Sequence, residues 1–383
     1  MFSQNTKYVV AILCAYIFSF TASAQGNKQV NFKTGNLFSG IEVGSKGVKM
    51  SILDFGKDMK KMDQYIVVKD TSINTDFISF TPASFSATLN AFTTLFNIAV
   101  DRYSISSGQI YTTISSGVSI IAEKDNKQDW LTLLADSFRL KIHEPKRVVT
   151  VIDVTEEARL SHLGIIPDSR RFTTFLIDIG SGNTKGGFFP HGNTKDIRLF
   201  QLTWGTKSIS NETSSRAGGD TSLRNFSRQL PRVLAGTPEQ EIVYAVNVSG
   251  AYNMSDNIAF SGGIAWAIAT LLYPELIDNA VVPVTYDEIS EFMNRIADNY
   301  GSLSPEAIAQ SVKDATIDKD LVKKQAKIVN KVFDQRALLS GTGLLLKIMR
   351  QFEGVYERKQ FFLVKNGQTG WISAFVKQAI SQQ

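Results

Sequence analysis

One short motif occurs twice in this chain, and the repetition restricts the fold more than any other feature. Ile41-Glu42-Val43-Gly44-Ser45-Lys46-Gly47-Val48-Lys49 and Ile177-Asp178-Ile179-Gly180-Ser181-Gly182-Asn183-Thr184-Lys185 share an acid, then glycine two residues on, serine three on and lysine seven on. Each acid sits in a short apolar run that ends in a Gly/Ser turn, so each copy reads as a β-hairpin. The copies lie about one domain length apart, which implies an internal duplication with one hairpin turn per half. Glycine lets backbone approach a ligand closely, and successive amides of a tight turn form an anion-binding concavity. Two such turns facing each other could hold an anion between them, with the acids placing a metal ion or a water beside it. Neither copy is a P-loop, which needs Gly-Lys followed by Ser or Thr and then a helix. Here Lys185 runs into Gly186-Gly187-Phe188-Phe189, which reads as a second strand. A dinucleotide fingerprint is excluded because its third glycine falls out of register.

A chain of 383 residues with 43% hydrophobic and 20% charged residues is long and apolar enough for two domains, each with its own core. The net charge of +5 is spread rather than clustered, which disfavours nucleic acid and stays compatible with an anionic small ligand or polymer. The first 24 residues have the pattern of a secretory signal: Lys7, an apolar run over residues 9–20, and Ala22-Ser23-Ala24 before Gln25. Cleavage after Ala24 and export to a periplasmic or extracellular space are expected. No later segment is long enough to span a bilayer, so no stable membrane span is expected after cleavage. The single cysteine, Cys14, falls inside the signal, and Leu13 before it argues against a lipoprotein. His143, His162 and His191 lack metal-ligand spacing and read as packed or solvated side chains.

Apolar periodicity predicts alternating strands and helices in both halves. Strands are expected over residues 63–69, 109–113, 147–153, 242–249 and 258–261, and a strand or glycine turn over 338–343. Helices are expected over 84–101, with Phe85, Leu89, Phe92, Phe96 and Val100 on one face, over 128–141, and through most of 304–334. Thr155 is read as a helix N-cap, residues 208–221 as a mobile loop, and 167–171 as the break between domains. The divisions expected are 1–24, signal peptide; 25–165, first domain; 166–350, second domain; and 351–383, a closing strand and helix.

A second motif narrows the reading. Glu156-Glu157-Ala158-Arg159-Leu160, a short spacer and Leu163-Gly164 precede the second hairpin. That order, followed by Ile-Asp-Ile-Gly-Ser-Gly, resembles the exopolyphosphatase and guanosine pentaphosphate phosphatase family of the actin-like ATPase, sugar-kinase and heat-shock-protein superfamily. The resemblance runs over nearly the whole chain after the signal. It extends through Thr206 and Lys207, the Ser261-Gly262-Gly263 strand end, and Gln335-Arg336-Ala337 with Gly341 and Gly343.

The resemblance implies an α/β fold of two ribonuclease-H-like domains with a phosphate-binding cleft between them. It implies hydrolysis of a terminal phosphoanhydride, in polyphosphate or a phosphorylated nucleotide, with Glu157 as general base. Mg²⁺ or Mn²⁺ would sit on Asp178 and Glu42. Phosphate would contact Gly44, Ser45, Lys46, Gly47, Lys49, Gly180, Ser181, Gly182, Asn183, Thr184, Lys185, Gly262 and Gly263. A homodimer is left open. The chain departs from the family pattern in four ways, the first being that the family's Ser-Asn-Ser turn is Ser45-Lys46-Gly47 here. Glu42 stands in place of Asp, an arginine expected within residues 113–118 is missing, and Lys185 stands where the family carries an acid. These changes sustain a rival reading, a hydrolytically weak polyphosphate- or nucleotide-binding protein on the same fold.

Overall fold

The computed structural model describes residues 36–56, 65–250, 255–352, 359–365, 367 and 370–382; the signal region lies outside them. Eleven strands among these residues form two sheets. In the first, β1 (Leu37–Gly44), β2 (Gly47–Asp54) and β3 (Ile66–Asn74) make an antiparallel meander. On its other side β1 pairs in parallel with β4 (Ile110–Ile114), which pairs in parallel with β5 (Val149–Val151). The second sheet repeats this plan. There β6 (Thr174–Ile179), β7 (Thr184–Phe188) and β8 (Arg198–Leu202) form the meander, and β6 runs parallel to β9 (Asn257–Ser261). Parallel to β9 lies β11 (Gln360–Val364), and β10 (Val281–Val284) adds an antiparallel edge. The motif duplication is therefore a duplication of sheet topology, giving the two ribonuclease-H-like lobes of the actin-like fold.

The two central hairpins read differently from half-solvated strands because they are buried on both faces. Every residue of β1, β6 and β7 is buried, as expected of a sheet with helices on both sides. Around them form two main cores. One joins Ile41, Val43, Met50, Phe92, Phe96 and Phe138; the other joins Phe175, Ile177, Phe200, Phe260, Leu345 and Phe352. Phe92 and Phe138 stack with ring centroids 3.7 Å apart, tying helix Pro82–Tyr103 to helix Gln128–Lys141.

Four sequence-based expectations are corrected. The N-cap of the helix carrying Glu157 is Asp153, not Thr155. Its carboxylate accepts from the Glu156 amide at 2.9 Å, and the helix runs Val154–Ile165; Asp is the stronger capping residue. The stretch 242–249 is the end of helix Thr237–Ser249 rather than a strand. Its buried Ile242, Ala245, Val246 and Ser249 keep helical spacing, which a short apolar run disguises. The segment over 208–221 begins with helix Thr206–Ala217, because Ile209 and Thr213 turn inward on one face. Residues 338–343 lie inside helix Gln335–Phe352. There the glycines serve close packing: a Cβ on Gly341 would stand 2.7 Å from Ile264, and one on Gly343 would stand 2.8 Å from Leu234.

The chain end does not form a unit of its own. Strand β11 completes the second sheet, whereas helix Gly370–Ser381 crosses to the first lobe. It packs on helix Val154–Ile165, and Ile372 lies against Gly40 of β1. The crossing is held at a glycine pair. A Cβ on Gly164 would come within 1.9 Å of the Gly370 carbonyl oxygen, and backbone cannot yield as a side-chain tip does. Overpacking of this kind costs about 1–3 kcal/mol. Gly164→Ala is therefore expected to lower the thermal midpoint by about 2–4 °C per kcal/mol lost; a calorimetric scan showing no decrease would contradict this packing.

Candidate functional site

Both hairpins place their acid in the same register. On β1, Glu42 lies opposite Lys49 of β2 and Thr113 of β4. On β6, Asp178 lies opposite Lys185 of β7 and Ser261 of β9. Each acid is thus flanked by a lysine on one neighbouring strand and a hydroxyl on the other.

In the second lobe the flanking groups engage the acid directly. Lys185 Nζ donates to Asp178 Oδ2 at 2.9 Å, and Ser261 Oγ donates to Asp178 Oδ1 at 2.9 Å. The same ammonium stands 3.0 Å from Glu157 Oε1. The Ser116 amide, at the start of helix Ser116–Lys124, donates to Glu157 Oε2 at 2.7 Å. Glu157, Asp178 and Lys185 are all buried. Burial alone would depress the lysine, yet the carboxylates of Asp178 and Glu157 outweigh it and hold the ammonium well above the usual lysine range.

Glu42 is treated differently. Its Oε2 is buried and has no partner among the described residues. Burial pushes its carboxyl up to about 7, opposed by Lys49 and reinforced by the nearby Glu157 charge. The folded state therefore binds a proton that the unfolded chain releases near 4.5, and this group's contribution to stability falls as pH rises from about 4.5 to about 7. Glu42→Gln is expected to flatten that segment of the stability curve and to gain up to about 3 kcal/mol at pH 8 relative to pH 4. Denaturant titrations at the two pH values check this, and an unchanged pH slope would contradict it.

The two turns meet. A Cβ on Gly182 would stand 3.1 Å from Ser45 Oγ, and one on Gly117 would stand 3.2 Å from Ser45 Oγ and 2.9 Å from Asn183 Oδ1. The second turn is shaped from outside by helix Thr206–Ala217. Its Thr206 and Lys207 amides donate to the Gly180 and Ser181 carbonyls at 3.0 and 2.8 Å, and Ser208 Oγ donates to the Gly182 carbonyl at 3.2 Å. The carbonyls are thereby satisfied, while the amides of Ser181, Gly182 and Asn183 donate to no acceptor among the described residues; nor do those of Ser45 and Lys46. Around them, the buried Ser116 Oγ, Ser181 Oγ and Asn183 Nδ2 also lack a partner among the described residues. Buried polar groups normally find partners, so a concentration of unused donors at two facing turns is what an anion site requires.

The remaining expected residues divide in their placement. Lys46 sits 4.9 Å from the Phe333 ring centroid of the other lobe, and burial, with Lys207 nearby, depresses its ammonium. Lys207 pairs with Asp76 of the first lobe. Gly262 has φ +92, and a Cβ there would strike the Ile179 carbonyl at 2.3 Å; it is the backbone wall beside Asp178. Gly263 starts helix Gly263–Leu272 and packs on Phe333. Two residues have other work. Thr184 Oγ1 donates to the Trp204 carbonyl at 2.7 Å, and Lys185 is spent on the acids. Sequence reasoning missed Ser116 and Ser261 as partners of the two carboxylates. The signal for Ser261 was available, since it ends the strand that follows the second meander. Ser116 was hidden behind a motif with no charge in it.

The acids do not fit the divalent ion that the resemblance implies. A lysine ammonium lies within 3.0 Å of both the Asp178 and the Glu157 carboxylate, so an ion placed between them would face a buried positive charge, and Glu42 Oε2 accepts from no described residue. Among the described residues no group of three or more His, Cys, Asp or Glu is arranged to hold a metal. A groove of about 560 Å³ under β4 and β5, lined by Tyr111, Arg147, Val148 and Phe375, contains none of these residues.

The sequence matches no protein-family model, and it matches no curated protein. The solved structures resolve the fold. An Aquifex aeolicus member of the Ppx/GppA family superposes with a TM-score of 0.59 at 15% identity, covering 91% of this chain and 98% of that one. An exopolyphosphatase from Cytophaga hutchinsonii gives 0.56 at 13% identity, covering 90% and 98%. An exopolyphosphatase-like protein gives 0.59 at 13% identity, covering 90% and 97%. The chain shares its two-lobed actin-like fold with these Ppx/GppA and exopolyphosphatase structures over nearly their full length.

Proposed function

We propose that this protein acts on the terminal phosphoanhydride of polyphosphate or of a phosphorylated nucleotide, held between the Gly44–Gly47 and Gly180–Asn183 turns. The observation that carries the reading is the set of unused donors there: five turn amides with Ser116 Oγ, Ser181 Oγ and Asn183 Nδ2. Aimed at a terminal phosphoryl group, such donors supply the positioning and charge stabilisation on which phosphoryl transfer depends. Each oxygen of an ionised carboxylate has two lone-pair sites. Glu157, with one acceptor position used on each oxygen, can therefore still accept a hydrogen bond from a water and take its proton. Lys185 holds the carboxylate in one orientation. The similarity to phosphatase structures supports the same class of chemistry, and the signal-like N-terminus supports an exported protein that meets its substrate outside the cytoplasm.

One observation favours the second reading, a binding protein with slow hydrolysis. The base is locked in an ion pair before any substrate arrives. Phosphate release from tripolyphosphate and nucleoside polyphosphates separates the two. If the protein is a hydrolase, Glu157→Gln should lower turnover by about 10²–10⁴-fold, the usual contribution of a general base, with binding retained. Equal turnover in Glu157→Gln and the parent would sink the assignment of the base. Binding without measurable release in the parent would establish the binding protein. For export, N-terminal sequencing of the protein made in its native cells is expected to start at Gln25, and a mature chain starting at Met1 would contradict it.

A further inference from the structure

The misfit between the acids and a divalent ion has a positive side. Two buried carboxylates from different elements, Glu157 on a helix and Asp178 on β6, converge on one point. That point is filled by the chain itself. Lys185 Nζ lies 3.0 Å from one carboxylate and 2.9 Å from the other, within hydrogen-bonding range of both. The lysine is 5% exposed, so neither acid depends on solvent for its counter-charge. Its position is fixed by the β6–β7 register and by the Thr184–Trp204 hydrogen bond one residue earlier. The first hairpin shows the contrast. Lys49 stands across from Glu42 in the same register, and Glu42 Oε2 still has no partner among the described residues. The register alone therefore does not make the bridge; the second carboxylate, Glu157, draws the ammonium inward.

We infer that Lys185 is the resident cation of this cleft: its ammonium stands between Asp178 and Glu157 where a divalent ion would have to bind, so the site takes its phosphate ligand without metal. The inference rests on the reading of the two turns as a phosphate site. The lysine is a positioning residue. It offsets the two acids so that an anion can approach the turn amides without facing two uncompensated negative charges, and it holds Glu157 in one orientation. A fixed internal cation also removes any dependence on metal supply, which suits a site with no other acid cluster among the described residues.

The test uses the full mature chain. Binding of Mn²⁺ alone is followed by loss of the free-ion electron paramagnetic resonance signal, in the parent and in Lys185→Met. The parent is expected to bind no Mn²⁺ at the cleft. Lys185→Met, which removes a unit charge about 3 Å from both carboxylates, is expected to raise Mn²⁺ affinity by at least about tenfold. Stoichiometric Mn²⁺ binding by the parent would overturn the inference, as would a folded Lys185→Met that gains none. Should that variant not fold, the parent decides alone through calorimetric titration with inorganic tripolyphosphate, once in excess EDTA and once with Mg²⁺. Equal affinity in the two conditions is expected. Binding only with Mg²⁺ would overturn the role of Lys185 and leave the phosphate site standing. No binding in either condition would instead sink the phosphate site, and the parent's Mn²⁺ result would still judge Lys185.

Discussion

The bridge of Lys185 between Asp178 and Glu157 is the interaction on which the arrangement of this molecule turns. It joins β6, β7 and the helix that closes the first half of the chain, so it ties local hairpin geometry to the meeting of the two lobes. Buried ion pairs contribute little net stability against a well-packed apolar alternative, yet removing one partner costs about 3–5 kcal/mol because a charge is left stranded. A triad with two acids and one base is more exposed to that penalty than a pair. The extra negative charge is compensated by hydrogen bonds from Ser261 Oγ and the Ser116 amide. The site therefore constrains five separate elements, and a change at any of them is felt at the others.

Duplication explains how such a site arises in a chain of this kind. Each half folds as a meander followed by parallel strands, and each meander presents an acid with a lysine across from it. The second half couples its lysine to both acids, while the first leaves Glu42 partly uncompensated and its carboxyl raised to about 7. The same sequence pattern thus gives one ion-paired, locked centre and one proton-binding centre. The difference comes from what the adjoining lobe brings, not from the hairpin itself. Lys46 over Phe333 and Lys207 with Asp76 add contacts between lobes at the same level and hold the turns together.

Much of this was legible in the sequence because the informative signals are local. A two-residue alternation flanking Gly-Ser, an acid pair at a helix start and the spacing between copies are read without knowing what packs against them. The errors fall where tertiary context decides. Residues 338–343 look like a glycine turn until Ile264 and Leu234 show why a helix needs glycine there. Residues 208–221 look like a loop because hydroxyl-rich helices carry a weak periodic signal, and only Ile209 and Thr213 face the core. At the site, the sequence placed Glu157, Asp178 and Lys185 correctly on strand and helix. It could not show that the lysine would turn toward the acids rather than toward a ligand, since that choice depends on the distance between two elements from different halves.

The most direct test of the account is where an anion binds. Crystals of the protein soaked with tungstate, a tetrahedral phosphate mimic, in the presence of EDTA would locate tungsten by its anomalous scattering. The account predicts a single dominant peak between the Gly44–Gly47 and Gly180–Asn183 turns, within hydrogen-bonding reach of Ser181 and Asn183, with Lys185 still on Asp178 and Glu157. Tungsten found only at surface lysines, or in the groove beside Arg147, would contradict it.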